Sequence, residues 1–362
     1  MNPDNDSLSP IPWDQIIRFS LLGVLALLAW IMVDVARYGG SNPVSLIQPG
    51  TLGPSSELIR QDFPEVQQPE GLGLDGQQYY AIARHPTDLE TASRSLDNPR
   101  YRLGRPLLGW LASTVSLGAS GVGLIWALFA VGLVGIAAGS IASGVLSTTW
   151  GGPPWVAALF PLLPGAWWSL RVTVSDALAL GLALCAIALF VRNRHVAAIA
   201  VAVLAVLAKE PVVLLFIGWW LYDRTKRSAL MVGIPAGAIA AWTAYLAWRL
   251  PPDSQRANDL GPPFLGLVEA FRDVWSQGNE LVGMAATLGG LALGGFALYK
   301  RGLRHPLGWV LALQLGFILV MGVNPTSVNF GATRMAMPAM ITGVIMVLTP
   351  NPSAAIEEEL RP

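Results

Sequence analysis

Charge is what this chain has least of. Only 13% of its residues are Asp, Glu, Lys or Arg, against 53% hydrophobic, whereas a soluble domain carries roughly a quarter charged residues. A water-soluble surface cannot be made from that composition, and a mean hydropathy of +0.51 points the same way. A basic excess is missing too: 23 Lys and Arg balance 23 Asp and Glu. The chain therefore has no reserve of cations for neutralising a phosphate backbone, which excludes nucleic acid as a partner class. The single cysteine, Cys185, lies inside an apolar run, so neither an internal disulfide nor a cysteine metal site is available. No nucleotide-phosphate loop, zinc-binding helix motif or nucleophile elbow occurs. The N-terminal 1–15 segment lacks the basic stretch of a cleavable signal peptide, so the first apolar run is expected to remain as a signal anchor.

Long apolar runs are abundant. A membrane-crossing helix needs about 20 apolar residues to traverse about 30 Å of hydrocarbon. The runs at 16–35, 122–146, 155–169, 177–191, 229–248, 281–298, 307–322 and 335–348 predict spans. The 196–221 stretch is interrupted by Lys209, Glu210 and Pro211. Arg192 and Arg194 precede it, and Arg224, Lys226 and Arg227 follow it. Basic clusters favour the cytoplasmic side, so the stretch should leave and return as a helical hairpin with Lys209 and Glu210 in a recess at its tip. Further along the chain, Gly289 with Gly290 and Gly294 with Gly295 read as close helix packing.

This reading predicts an all-α, polytopic transmembrane helical bundle in one integral membrane domain, 1–362, with about ten crossings and some short or re-entrant helices. The polar 1–15 segment and the 349–362 tail, with Glu357 to Glu359, fall in the cytoplasm, as does the cluster Lys300, Arg301 and Arg304. A large loop, 38–105, and a second one, 251–278, fall outside. The 106–118 run between Arg105 and the next span is short and reads as an interfacial or re-entrant helix. His195 and His305 lie in the basic loops, and Asp34 with Arg37 reads as a local pair at the outer end of the first span.

The 38–105 loop replaces the Ala/Leu/Val background with Gly, Pro, Gln, Asp and Arg, and it is too long for a passive connection. Within it, Asp75 sits between glycines and is followed by Tyr79, Tyr80 and His85, then by Asp97, Arg100, Arg102 and Arg105. Asp176 and Arg334 start two spans on the same outer side, where the recess with Lys209 and Glu210 also opens. One face thus gathers acids and cations. A carboxylate beside a hydroxyl can take its proton, and fixed cations can stabilise a departing phosphate.

Three segments, in order, are similar to the GT-C class of polytopic glycosyltransferases that use polyprenyl-phosphate sugars. Asp75-Gly76-Gln77-Gln78-Tyr79-Tyr80-Ala81-Ile82-Ala83 resembles the first lumenal loop of the glycosylphosphatidylinositol mannosyltransferase that adds the second mannose, and of its bacterial relatives. Leu159-Phe160-Pro161 with Val174-Ser175-Asp176-Ala177-Leu178 resembles the stretch before a span and short basic loop. Leu204-Ala205-Val206-Leu207-Ala208-Lys209-Glu210-Pro211 resembles the class's lysine-glutamate turn. Tryptophan does not precede the aspartate, and no Asp-x-Asp or Glu-x-Asp pair is visible.

The resemblance implies a GT-C-like bundle in the cytoplasmic membrane, with both termini inside and the active site outside. It implies a transferase, inverting in outcome, with Asp75 as catalytic base or acceptor ligand. Tyr79, Tyr80, His85, Arg102, Arg105, Asp176, Lys209, Glu210 and Arg334 are the candidate substrate-binding residues. The implied partners are a polyprenyl-phosphate sugar donor, a lipid, glycan or protein acceptor, and membrane lipids. No dedicated metal motif is visible, which leaves a divalent cation open. Two rival readings stand beside this one: a lipid-linked sugar flippase or small-solute transporter, and a noncatalytic membrane assembly protein.

Overall fold

The computed structural model describes residues 10–253 and 260–350. Most of the polar N-terminal segment, residues 254–259 near the start of the 251–278 loop and the tail with Glu357 to Glu359 lie outside the described residues. Among the described residues the fold is all-helical, with no strand. The helices that matter here are α1 (Trp13–Tyr38), α2 (Gly76–Arg84), α3 (Pro99–Leu103), α4 (Leu107–Val115), α5 (Val122–Thr149), α6 (Pro164–Arg171), α7 (Asp176–Val191), α8 (His195–Ala208), α9 (Val213–Asp223), α10 (Lys226–Arg249), α11 (Leu281–Arg301), α12 (Gly308–Val320) and α13 (Asn329–Leu348). Among the described residues, five helices, α1, α5, α10, α11 and α13, are long and apolar enough to cross a membrane. Three more, α7, α8 and α12, are apolar but shorter.

The 155–169 run does not form the single spanning helix that its hydropathy predicts. It breaks into a 3-10 turn, Pro154–Ala158, a short helix, Leu159–Leu162, and α6. Prolines at 153, 154, 161 and 164 each remove a backbone donor, and Leu163 is extended at the last break. Such a broken path is tolerated because it is wrapped in protein: it packs on α1 and α5, and Gly23 of α1 lets the Ala158 carbonyl approach closely.

The close packing expected of the two glycine pairs holds for one glycine of each. Gly290 and Gly294 of α11 do face neighbours, Ala336 and Leu315, but Gly289 and Gly295 face open space. A close crossing that the sequence reading did not single out joins α5 and α7 at Gly135, Gly139 and Gly181, where a Cβ on Gly181 would lie 2.1 Å from the Gly135 carbonyl oxygen.

Side-chain contacts gather the basic clusters at one end of the bundle. His195 Nε2 lies 3.1 Å from Arg227, and Arg301 donates to the Met346 and Val347 carbonyls at 3.2 and 3.1 Å. Trp150, at the end of α5, stacks on Trp219 of α9 and meets His305 edge-on. His305 is fully buried; its Nδ1 accepts from the Leu307 amide and its Nε2 meets the Thr349 hydroxyl. A proton on Nδ1 would confront that amide, and burial with the nearby Arg301 charge lowers the His305 pKa to about 4.

The polar 38–105 loop is folded at the opposite end. Tyr80 donates to Asp62 at 2.5 Å and accepts from the Gly121 amide at 2.9 Å, tying α2 to the start of α5. Arg100 donates to the Leu250 and Ala247 carbonyls, and the Arg100 and Tyr101 amides donate to Asp253. The loop thereby caps the C-terminal end of α10, whose last carbonyls have no partner within the helix. Asp34 pairs with Arg171 of α6 and not with Arg37, because the interior offers Asp34 a buried cation while Arg37 stays exposed.

Candidate functional site: an ion cluster at the loop end

Asp75 occupies the N-cap position of α2, yet its side chain makes no capping hydrogen bond. An N-cap aspartate ordinarily accepts from its own helix; this carboxylate turns away. Gly76 makes the position reachable, since a Cβ there would lie 2.2 Å from the Val172 carbonyl oxygen. The glycine lets α2 settle against the turn between α6 and α7, which delivers Asp75 to the charges at the helix ends. One oxygen accepts from Arg102 at 2.9 Å, and the other lies 3.6 Å from Arg334.

Those two arginines extend the cluster in both directions. Arg102, on α3, grips Asp97 with two bonds of 2.9 and 2.8 Å. Arg334, one turn into α13, lies 2.8 Å from Asp176 and over the Phe330 ring. Asp176 opens α7, where a helix N-terminus favours negative charge. Its other oxygen takes Lys209, from the turn between α8 and α9. A second branch lies beside it: Arg105 holds Glu210 in a two-bond fork of 2.8 and 2.6 Å and rests 4.2 Å over the Tyr101 ring.

Lys209 and Glu210, expected together in a recess at the hairpin tip, do not pair with each other. Both belong to the turn, but they diverge: Lys209 serves Asp176 and Glu210 serves Arg105. Lys209 adopts extended backbone, so consecutive side chains point to opposite sides. The arms α8 and α9 have 14 and 11 residues, about 21 and 17 Å of helix, short of the roughly 30 Å of a hydrocarbon core.

Other candidates divide. Tyr79 is buried and shares a 2.6 Å hydrogen bond with Ser175, next to Asp176; burial raises its pKa, so it is a neutral partner. Tyr80 faces Asp62 and is a latch of the loop. His85 ends α2, about 15 Å along the helix from Asp75 at 1.5 Å per residue, and belongs to a different surface. Asp97, outside the quoted motif, is instead a member of the cluster. Burial works to raise its pKa, but the Arg102 bonds and charge, with Gln78 and the Asn98 amide, outweigh burial and hold it low. The Asn98-Pro99 helix start, which sets Arg102 five residues after Asp97, is the sequence signal for that pairing.

Four carboxylates, Asp75, Asp97, Asp176 and Glu210, thus meet four cations, Arg102, Arg105, Lys209 and Arg334. Asp176 is 7% exposed and sits at the bottom, whereas Asp75 and Lys209 are about a quarter exposed and Glu210 42%. Among the described residues no group of three or more His, Cys, Asp or Glu side chains could hold a metal ion. Each acid is already neutralised by an organic cation, so this donor set does not fit a metal. What the arrangement offers is a carboxylate open to solvent beside several fixed positive charges, the pairing needed for proton removal and anion stabilisation.

Comparison with protein-family models, with curated proteins and with solved structures returned no match.

Proposed function

We propose that this chain is a multi-pass membrane glycosyltransferase, GT-C-like in architecture, that moves a sugar from a polyprenyl-phosphate-linked donor to an acceptor at the loop end of the bundle. The observation that carries the proposal is Asp75: a carboxylate released from capping its own helix and placed, part-exposed, between Arg102 and Arg334. In the transfer, the acceptor hydroxyl attacks the anomeric carbon as the bond from that carbon to the phosphate oxygen breaks. Asp75 takes the hydroxyl proton, and the phosphate leaves on its lipid with its charge met by the surrounding Arg and Lys side chains. Attack from the face opposite the leaving group inverts the anomeric centre.

About ten passes are supported by how contacts alternate between the two ends along α1, α5, the 154–171 segment and α7 to α13. The positive-inside tendency then assigns the basic end, with both chain ends, to the cytoplasm of a cytoplasmic membrane and the ion cluster to the outer side. A transporter is the second reading, favoured by the pairing of Lys209 with Asp176 at a break between two short helices, a construction used for coupling sites. Incubating the purified protein with a panel of polyprenyl-phosphate sugars and candidate acceptors, and weighing the lipid products, separates the two. Transfer predicts loss of one sugar mass from a single donor; an unchanged panel with movement of lipid-linked sugar across vesicles contradicts it.

A further inference from the structure

The four carboxylates of the cluster are not equally able to leave their cations. Asp176 is nearly inaccessible and serves two cations. Asp97 accepts from Gln78 and the Asn98 amide besides Arg102, and Asp75 serves two arginines. Glu210 differs on both counts. It is the most exposed of the four at 42%, and the one cation that bonds it is Arg105. Swinging it into water frees one cation and leaves the pairs of Asp75, Asp97 and Asp176 intact. Arg105, by contrast, is buried, its side chain 10% exposed and propped on Tyr101. A buried guanidinium left without an anion is costly, so Glu210 departs only when another anion takes the fork.

The fork suits a particular replacement. Two parallel N–H donors match a phosphate as well as a carboxylate. A largely apolar groove is connected to the fork through the chain: two adjoining cavities of about 520 and 560 Å³ share Trp110, Trp242 and Tyr245. Trp242 donates to the Leu103 carbonyl at 2.8 Å, two residues before Arg105, and Leu207 of the groove lies two residues before Lys209. Groove and fork therefore rest on the same pieces of chain.

We infer that Glu210 is a built-in stand-in for a phosphate monoester, occupying the Arg105 fork until the phosphate of a polyprenyl chain lying along the Trp110 and Trp242 groove displaces it. The inference rests on the proposed phosphate chemistry of the cluster but not on sugar transfer itself. Unlike a catalytic acid, Glu210 opposes binding, so removing its charge strengthens the site.

The test titrates the detergent-purified full chain with farnesyl phosphate, following tryptophan fluorescence, in wild type, Glu210→Gln and Glu210→Asp. Glutamine removes the charge. Aspartate keeps it but is one methylene too short to span the fork. Both variants should bind farnesyl phosphate about tenfold more tightly, the scale of one charge-assisted hydrogen bond no longer in competition. Farnesol, which has no phosphate, should bind all three alike, and Arg105→Lys in the Glu210→Gln background should erase the gain. Unchanged or weaker farnesyl phosphate binding by both folded variants overturns the inference. Inorganic phosphate gaining the same factor and binding as tightly as farnesyl phosphate assigns the fork to free phosphate and overturns the lipid assignment. A tenfold gain in a protein that transfers no sugar upholds the exchange and defeats only the enzymatic reading.

Discussion

At the scale of residues, the cluster works by sharing. Asp176 is held by Lys209 and Arg334, and Arg334 also lies near Asp75, so part-exposed Asp75 and the acid at the bottom are linked through one guanidinium. A double-mutant cycle with Lys209→Met and Asp176→Asn should therefore give a coupling of about 1 to 3 kcal/mol in reversible unfolding, as for groups in one network. Lys209→Met with Glu210→Gln, neighbours in sequence but partners of different residues, should couple by less than about 1 kcal/mol. The reverse order would restore a single ion pair at the turn and contradict the pairing described here. Which side chains meet at this end was legible from sequence: the spacing of basic clusters and apolar runs put the helix ends that carry Asp75, Asp176, Lys209 and Arg334 together. Who pairs with whom was not. Asp176 and Arg334 are 158 positions apart, and their contact depends on the rotation of α7 and α13 about their own axes, which no local pattern encodes.

At the scale of elements, small residues decide where helices touch. The 155–169 run shows why hydropathy alone misled: it counts apolar letters, whereas a spanning helix also needs backbone donors, and four prolines between 153 and 164 remove them. The glycines carry the same lesson, because their role depends on which face they occupy. Gly181→Ala places a methyl group against the Gly135 carbonyl of α5 and should destabilise the detergent-solubilised protein by about 1 to 3 kcal/mol, the usual cost of overpacking. Gly295→Ala, on an open face of α11, should be neutral or stabilising by up to about 1 kcal/mol through helix propensity. Thermal unfolding midpoints of the two variants compare them directly. A Gly181→Ala protein as stable as wild type would mean that α5 and α7 are not in glycine-mediated contact.

At the scale of the whole molecule, the fold separates two surfaces. One end carries Arg192, Arg194, Arg224, Lys226, Arg227, Lys300, Arg301 and Arg304; the other carries the folded 38–105 loop and the ion cluster. In a Cys185→Ser background, Leu72→Cys should react with an impermeant thiol reagent in intact cells, and Lys226→Cys only after permeabilisation. Both native side chains are exposed, so shielding at 72 with reaction at 226 would invert the proposed orientation and remove the cluster from the outer side. The central claim, that this cluster transfers a sugar with Asp75 as its base, is tested most directly by the turnover of Asp75→Asn with the donor and acceptor that the panel identifies. Asparagine keeps the size and much of the hydrogen bonding but cannot accept the proton. Asp97 is unsuited as the matched control because it shares Arg102 with Asp75; Glu57→Gln, in the same loop and paired only with exposed Arg60 and Gln61, serves instead. The account predicts turnover lower by about 10² to 10⁴ in Asp75→Asn, the range that general base catalysis supplies, with donor binding retained and Glu57→Gln near wild type. Transfer at the wild-type rate by folded Asp75→Asn would contradict it.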